Sequence, residues 1–170
     1  MAFDTKWAKV RKDTVKLPNG LVIDDYYVNV KPDVVLIFPV TKDNKVVMVR
    51  QYKHGANEIL LEFPGGFFEA GGETAAEAAI RELKEETGYH SSKIEELGIL
   101  YENPTKDNNR IHFFLIRDAV KKHDTEFDST EDIETVEIPL EQLPEMIKNN
   151  TINVAGAIAL YYKAITALKG

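Results

Sequence analysis

Phe63-Pro64-Gly65-Gly66-Phe67-Phe68-Glu69-Ala70-Gly71-Gly72-Glu73-Thr74-Ala75-Ala76-Glu77-Ala78-Ala79-Ile80-Arg81-Glu82-Leu83-Lys84-Glu85-Glu86-Thr87-Gly88-Tyr89 is the stretch on which the reading of this chain turns. Its second half reads as a helix over Thr74–Thr87. Thr74 followed three residues later by Glu77 is a capping-box signature, Gly72 gives a flexible entry, and Gly88 suits the left-handed position past the last turn. At about 100° per residue, Glu85 falls roughly 60° to one side of Glu82 and Glu86 roughly 40° to the other, so the three carboxylates share one wedge. Ala76, Ile80 and Leu83 lie away from it and form the stripe expected to meet a core.

Three like charges at this spacing repel by a few tenths of a kcal/mol, and they sit toward the negative end of the helix dipole. Arg81, four residues from both Glu77 and Glu85, orients such a cluster without neutralising it. Oxygen-only donors suit a hard divalent cation, magnesium or manganese, which would relieve the repulsion. The ordinary alternative is a solvated acidic face. The glycine pairs favour the metal: Gly65-Gly66 follows a strand and Gly71-Gly72 opens the helix, so bare backbone can approach the carboxylates from either end. Pro64-Gly65-Gly66 is then a turn forming one wall of a metal site, with a loop carbonyl available as a ligand.

The 170 residues are 44% hydrophobic and 29% charged, which is one domain with room for a real core. Basic residues number 21 and acidic ones 28, a formal charge of −7, which argues against a phosphate-tracking nucleic-acid surface. The absence of cysteine excludes disulfides, thiolate metal sites and a cysteine nucleophile, and fits a reducing compartment. The N-terminus carries no basic region followed by an apolar run, and the apolar runs are strand-sized, so a soluble cytoplasmic protein with no membrane span is expected.

Strand patterns fill Leu21–Val30, Asp33–Val40 and Lys45–Tyr52, and the polar turn Lys42-Asp43-Asn44 predicts a hairpin between the last two. Ile59–Phe63 leads into the glycine pair, and strands return at Leu97–Tyr101, Arg110–Ile116 and Ile133–Ile138. A short helix around Leu140–Lys148 and a longer one from about Asn153 to Leu168 close the chain. Strands and helices mixed in this way predict an α/β fold, a mixed sheet with helices packed on it. His54, His90, His112 and His123 share no metal-ligand spacing.

The stretch resembles the Nudix box: Gly, five residues, Glu, seven residues, then Arg-Glu-aliphatic-x-Glu-Glu-x-Gly-hydrophobic. Glu73, seven residues, and Arg81-Glu82-Leu83-Lys84-Glu85-Glu86-Thr87-Gly88-Tyr89 fit its second half in full. The first half departs, with six residues between Gly66 and Glu73, as if one glycine had been inserted. A slightly wider loop beside an intact helix is expected. The resemblance implies an αβα sandwich with a mixed sheet and a hydrolase acting on a nucleoside diphosphate linked to another moiety with Mg²⁺ or Mn²⁺. It implies Glu82, Glu85, Glu86 and the Gly65 carbonyl as metal ligands, Arg81 as their orienting group and Glu73 as a brace.

Outside the box the chain resembles the ADP-ribose pyrophosphatase, or ADP-sugar diphosphatase, branch. Val49-Arg50-Gln51-Tyr52-Lys53 followed by Leu61-Glu62-Phe63-Pro64-Gly65-Gly66 is similar to that branch's strand pair. It implies substrate contacts at Arg50, Lys53 and Glu62, with Lys53 standing where an arginine is usual. Ile152–Leu160 resembles its closing helix. Trp7-Ala8-Lys9-Val10 is similar to a β-strand arm, residues 1–32 of a single Nudix domain spanning 1–170, which implies a homodimer. Trp7 suits stacking on a purine as well as anchoring the arm, and Tyr26 or Tyr27 suits an opposite face or a strand core.

The catalytic base in this branch falls on a loop corresponding to Lys121–Asp132. Glu131 is preferred there, with Glu126 and then Glu134 behind it. Arg110 either touches substrate phosphate or flanks its strand. The resemblance implies hydrolysis of ADP-ribose or a related nucleoside diphosphate sugar to a nucleoside monophosphate and a sugar phosphate. The alternatives are another nucleoside diphosphate derivative, such as GDP-mannose or a dinucleoside polyphosphate, and a non-catalytic nucleotide-sensing module.

Overall fold

The computed structural model describes residues 1–6, 8–68, 71–125 and 132–170. Strands β1 (Phe3–Asp4), β2 (Lys9–Lys16) and β3 (Val22–Asn29) form an antiparallel three-stranded sheet at the N-terminus. The larger, seven-stranded sheet comprises β4 (Asp33–Val40), β5 (Lys45–Lys53), β6 (Glu58–Glu62), β7 (Gly65–Phe68), β9 (Lys93–Tyr101), β10 (Arg110–Arg117) and β12 (Ile133–Pro139). Its main order is β12-β5-β4-β10-β9, with β6 on β5 and β7 on β4. β10 runs parallel to β4 and the other pairings are antiparallel, which makes the sheet mixed. Between α1 (Ala75–Thr87) and β9, the short β8 (Tyr89–His90) pairs with β11 (Val120–Lys121). A 3₁₀ turn at Leu140–Gln142 leads into α2 (Leu143–Lys148), and α3 (Ala155–Lys169) closes the chain.

Alternation along the central strands divides the core into two layers. On β10, Phe113 and Leu115 pack with Phe38 of β4 and with Leu160 and Ala164 of α3. Their neighbours Phe114 and Ile116 turn the other way, onto Val35, Ile37 and the Ala78, Ala79 and Leu83 side of α1. Each such large apolar side chain contributes roughly 1.5–3 kcal/mol of burial. Helices on both faces of the sheet give the αβα sandwich.

The hairpin turn between β4 and β5 is present, closed by the Thr41 N–H donating to the Lys45 carbonyl at 2.8 Å, with Val40 opposite Val46. Pairing then stops. β5 diverges toward β6 and β12, and β7 takes its place beside β4, with Gly65 opposite Leu36 and Phe67 opposite Val34. Pro64-Gly65-Gly66 is therefore not a free turn, because Gly65 opens a strand. The pairing requires glycine there, because a Cβ on Gly65 would stand 2.1 Å from the Val35 carbonyl oxygen.

Four other segments differ from the sequence expectation. β2 escapes pattern reading because Lys9–Lys16 has two valines among charged residues and its sheet leaves both faces largely open. β9 begins at Lys93 rather than Leu97. It is an edge strand whose polar Glu95 and Glu96 need no burial, and Leu97 bulges out, since Phe113 faces Gly98 and Phe114 faces Glu96. The apolar side of α1 is built on Ala78, Ala79 and Leu83, with Ile80 only half-buried. α3 starts at Ala155, two residues after Asn153, because Val154 is extended.

The N-terminal sheet docks on the larger body through polar contacts. Asn29 Nδ2 and Lys31 Nζ each donate to Asp107 at 2.7 Å, the Asn29 N–H to the Lys106 carbonyl at 2.7 Å, and the Tyr26 hydroxyl to the Thr105 carbonyl at 2.6 Å. Tyr26 is thus tied to a loop, while Tyr27 stays exposed. Among the described residues, no helix is long and apolar enough to cross a membrane.

Candidate active site

The site begins with how α1 is capped. Thr74 Oγ1 accepts from the Glu77 N–H at 3.2 Å, and the Thr74 N–H donates back to Glu77 Oε2 at 2.8 Å, so the expected capping box is complete. Glu77 is spent on this box, which leaves Arg81 to others. At the far end Gly88 takes φ +72, and its N–H donates to the Lys84 carbonyl at 2.8 Å. A side chain there would also strike the His123 carbonyl oxygen at 2.2 Å, so glycine is required twice over.

Between these caps Arg81 gathers three glutamates. Its Nη2 and Nε donate to the two oxygens of Glu73 at 2.6 and 3.1 Å. Its Nη1 is shared by Glu82 Oε1 at 2.8 Å and Glu85 Oε2 at 2.9 Å. The Arg81–Glu85 pair matches the four-residue spacing; the Glu73 contact replaces the one expected with Glu77. Hydrogen bonds from Arg81 hold the Glu73 carboxyl below its ordinary pKa, against a smaller upward push from burial. Arg81 in turn is held more firmly protonated than an ordinary arginine, chiefly by Glu73.

The third member of the wedge is deeper. Glu86 is only 8% exposed, and its Oε2 accepts the Gly65 N–H at 2.9 Å. Thr135 of β12 donates from Oγ1 to the Glu86 carbonyl at 3.2 Å, which ties the end of α1 to the sheet. Gly66 completes the wall: a Cβ there would fall 2.3 Å from Glu82 Oε1. Backbone of β7 and carboxylates of α1 therefore stand in direct contact, as the glycine pair predicts.

The remaining candidates distribute around this centre. Glu62 lies opposite Val49, which Thr135 flanks on the other side, so these three share the α1 face of the sheet. Lys53, four residues along from Val49, lies on the same face, its Nζ bonded to Gln51 Oε1 and 3.5 Å from Glu62 Oε2. That Glu62 oxygen is buried and accepts no hydrogen bond among the described residues. Arg50 turns to the opposite face, exposed, with Glu134 opposite it at 3.3 Å, so it is not brought together with the carboxylates. Arg110 grips Asp33 through its backbone N–H and Nη2, both at 2.8 Å. Burial pushes the Asp33 carboxyl up, but bonds from Arg110 and His112 outweigh it and leave the pKa below its usual value. His112 is buried, edge-on to Phe68. Trp7, Glu126 and Glu131 lie outside the described residues; Ile133, two residues after Glu131, pairs with Gln51.

A cavity of about 1080 Å³ opens between the N-terminal sheet and the β4 and β7 pair, just above the usual size range of small-ligand sites. Lys6, Lys9, Lys31, Asp33, Phe67 and Phe68 are among the residues that line it. None of these was singled out from the sequence, because they come from separate segments with no mutual spacing, and Lys31-Pro32 reads as a turn. A smaller cavity of about 350 Å³ lies at the far ends of β4 and β10, beside Thr41 and Arg117.

The donor set fits a hard divalent cation, being all carboxylate oxygens against bare glycine backbone, with no nitrogen or sulfur ligand among them. Among the described residues no three acidic or histidine side chains stand ready-made as a ligand shell. The guanidinium of Arg81 gathers them instead.

The NUDIX domain family matches residues 30–159, and the nucleoside diphosphate sugar hydrolase N-terminal domain family matches residues 1–29. The chain is 30% identical over 162 residues to an ADP-ribose pyrophosphatase of Bacillus subtilis, covering 94% of this chain and 86% of that one. It is 32% identical over 151 residues to a methanol dehydrogenase activator of Bacillus methanolicus, covering 88% and 80%. The crystal structure of an ADP compounds hydrolase superposes with a TM-score of 0.85 over 99% of this chain and 90% of that one, at 24% identity, which speaks for the fold. With the family's domain spanning most of the chain and its glutamates assembled on α1, this protein belongs to the Nudix family of hydrolases.

Proposed function

We propose that this chain hydrolyses the diphosphate of ADP-ribose or a related nucleoside diphosphate sugar with Mg²⁺ or Mn²⁺, giving a nucleoside monophosphate and a sugar phosphate. The observation that carries this reading is the assembly of Glu73, Glu82 and Glu85 on Arg81, with Glu86 fixed by the Gly65 N–H. The names of the relatives and the match of residues 1–29 to a nucleoside diphosphate sugar hydrolase domain support the substrate class.

Glu82, Glu85, Glu86 and the Gly65 carbonyl would hold the metal. When bound, the cation screens the diphosphate, polarises phosphorus and lowers the pKa of the attacking water. Arg81 keeps Glu82 and Glu85 aimed together, so that little reorganisation remains at the moment of reaction. Lys53 supplies positive charge to a phosphate as a point charge, without the two-pronged geometry of arginine. Glu131 serves as the general base that takes the proton of the attacking water. As the water oxygen bonds to phosphorus, the bond from phosphorus to the bridging oxygen breaks, and that oxygen leaves on the other phosphate. Exposed Phe3, Leu21, Val22 and Tyr27 on the N-terminal sheet support a homodimer in which this arm meets a second copy. The absence of cysteine fits a cytoplasmic setting.

The test is phosphate release, after phosphatase coupling, from a panel of ADP-ribose, GDP-mannose and a dinucleoside polyphosphate with Mg²⁺. The reading expects ADP-ribose among the best substrates. Binding of ADP-ribose without turnover of any compound would replace it with a nucleotide sensor.

A further inference from the structure

Two of the carboxylates proposed to hold the cation stand where a helix is weakest. Glu85 and Glu86 lie in the last turn of α1, which ends at Thr87, and the last four carbonyls of a helix have no partner within it. Such a turn frays when left to itself, and the like charges of Glu82, Glu85 and Glu86 add to that tendency. Part of the closure is local: the Gly88 N–H donates to the Lys84 carbonyl at 2.8 Å, and the Thr87 hydroxyl donates to the Leu83 carbonyl. The Glu86 carbonyl takes a donor from the sheet instead, Thr135 Oγ1 of β12 at 3.2 Å.

β12 is suited to this task. Its residues Ile133, Thr135 and Glu137 alternate onto the α1 face, where Ile133 is buried, Thr135 lies opposite Val49, and Glu137 accepts the Tyr89 hydroxyl just past the helix. Thr135 is branched at Cβ, which restricts the directions its hydroxyl can take. Glu86 is thus held at two points by two strands: its backbone by Thr135 of β12, and its carboxylate by the Gly65 N–H of β7 at 2.9 Å. A carboxylate anchored only at its oxygen pivots when its backbone frays, whereas one anchored at both ends keeps its aim. The Tyr89–Glu137 bond ties the same strand to the same end of α1 but involves none of the three wedge glutamates.

We infer that Thr135 is a positioning residue for the cation site, setting the place of the Glu86 carboxylate through the Glu86 carbonyl. That role deepens the proposed function and rests on it for the cation that Glu86 holds. Groups that orient a ligand from behind change metal affinity by about 10- to 100-fold. Thr135 acts through the backbone and belongs at the lower end of that range.

The experiment measures Mn²⁺ binding by the full chain, read from the electron paramagnetic resonance of the free ion. It compares wild type with Thr135→Val, Thr135→Ala, Thr135→Ser and Tyr89→Phe. Thr135→Val keeps the branching and loses the donor, and its Kd for Mn²⁺ should rise about ten-fold, as should that of Thr135→Ala. Thr135→Ser restores the hydroxyl and should bind within about two-fold of wild type. Tyr89→Phe should melt earlier yet also bind Mn²⁺ within about two-fold of wild type. A Thr135→Val or Thr135→Ala that binds like wild type, or a Thr135→Ser no better than Thr135→Val, overturns the inference. So does a Tyr89→Phe that loses as much affinity as Thr135→Val, which would mean that the cation responds to any loosening of β12 from α1. Binding needs no turnover, so a wild type that binds Mn²⁺ with this dependence on Thr135 but hydrolyses nothing sinks the proposed function and leaves the positioning role standing. A wild type that binds Mn²⁺ and hydrolyses ADP-ribose, with the Thr135 variants unchanged, sinks the positioning role alone. A wild type that binds no Mn²⁺ overturns both.

Discussion

Arg81 holds Glu73 with two separate nitrogens, Nη2 at 2.6 Å and Nε at 3.1 Å, across eight residues of loop and helix. That grip leaves Nη1 free to take Glu82 and Glu85 together. Arg81→Lys keeps the charge but has one nitrogen for three carboxylates. Its kcat/KM should fall about 10- to 100-fold, as for other groups that orient ligands, with little change in thermal midpoint. A lysine variant at full rate would show that the fork is not needed.

The two glycines of β7 should fail differently. Gly65→Ala drives a Cβ into the Val35 carbonyl oxygen at 2.1 Å, a backbone atom that moves only with its strand. Gly66→Ala meets the end of the Glu82 side chain at 2.3 Å, which can swing away and leave Arg81. Thermal melts and Mg²⁺-dependent rates separate the two: Gly65→Ala should lower the melting temperature by several degrees, while Gly66→Ala should lose activity with a smaller change in melting. The reverse order would contradict the placement of β7.

Lys53 and Glu62 form a pair whose worth depends on burial. Lys53 Nζ is 3.5 Å from a Glu62 oxygen that is buried and, among the described residues, accepts no hydrogen bond. Lys53→Met should lower stability by about 1 kcal/mol, and adding Glu62→Gln should recover most of it, because the stranded charge goes too. Denaturant titration of the single and double variants measures the coupling, and strict additivity would show no interaction.

Acid stability follows from Glu73. Its pKa in the folded protein lies below the ordinary value of 4.5, because Arg81 donates to the ionised carboxylate. Its contribution is therefore complete above that ordinary value and is lost as pH falls through the lower folded one. The stability difference between wild type and Glu73→Gln should be constant near neutrality and shrink as pH falls below the ordinary value of 4.5. Denaturation curves at several pH values check this, and a difference that grows on acidification would reverse the sign.

The α1 half of the site was legible because helical spacing is local: Thr74, Glu77, Arg81 and the three glutamates each stand within four residues of the next. The central strands were legible from their apolar runs. What stayed hidden was long-range or steric. Arg81 reaching back to Glu73 rather than Glu77 depends on the capping box consuming Glu77. The strand at Gly65 depends on how closely β4 approaches, and Arg50 leaves the centre because strand alternation carries it away from Lys53. The lysines and Phe67 of the cavity meet only once the N-terminal sheet has docked through Asn29 and Lys31 on Asp107.

The proposed function makes the buried Glu86, held by the Gly65 N–H, part of a divalent-cation site that drives diphosphate hydrolysis. Phosphate release from ADP-ribose should be compared for wild type and Glu86→Gln, with Mg²⁺ and with a chelator. Turnover by the wild type is expected only with the cation, with a loss of about 100-fold or more in Glu86→Gln that is folded by its melting curve. A Glu86→Gln protein at wild-type rate, or full wild-type turnover in chelator, would contradict it.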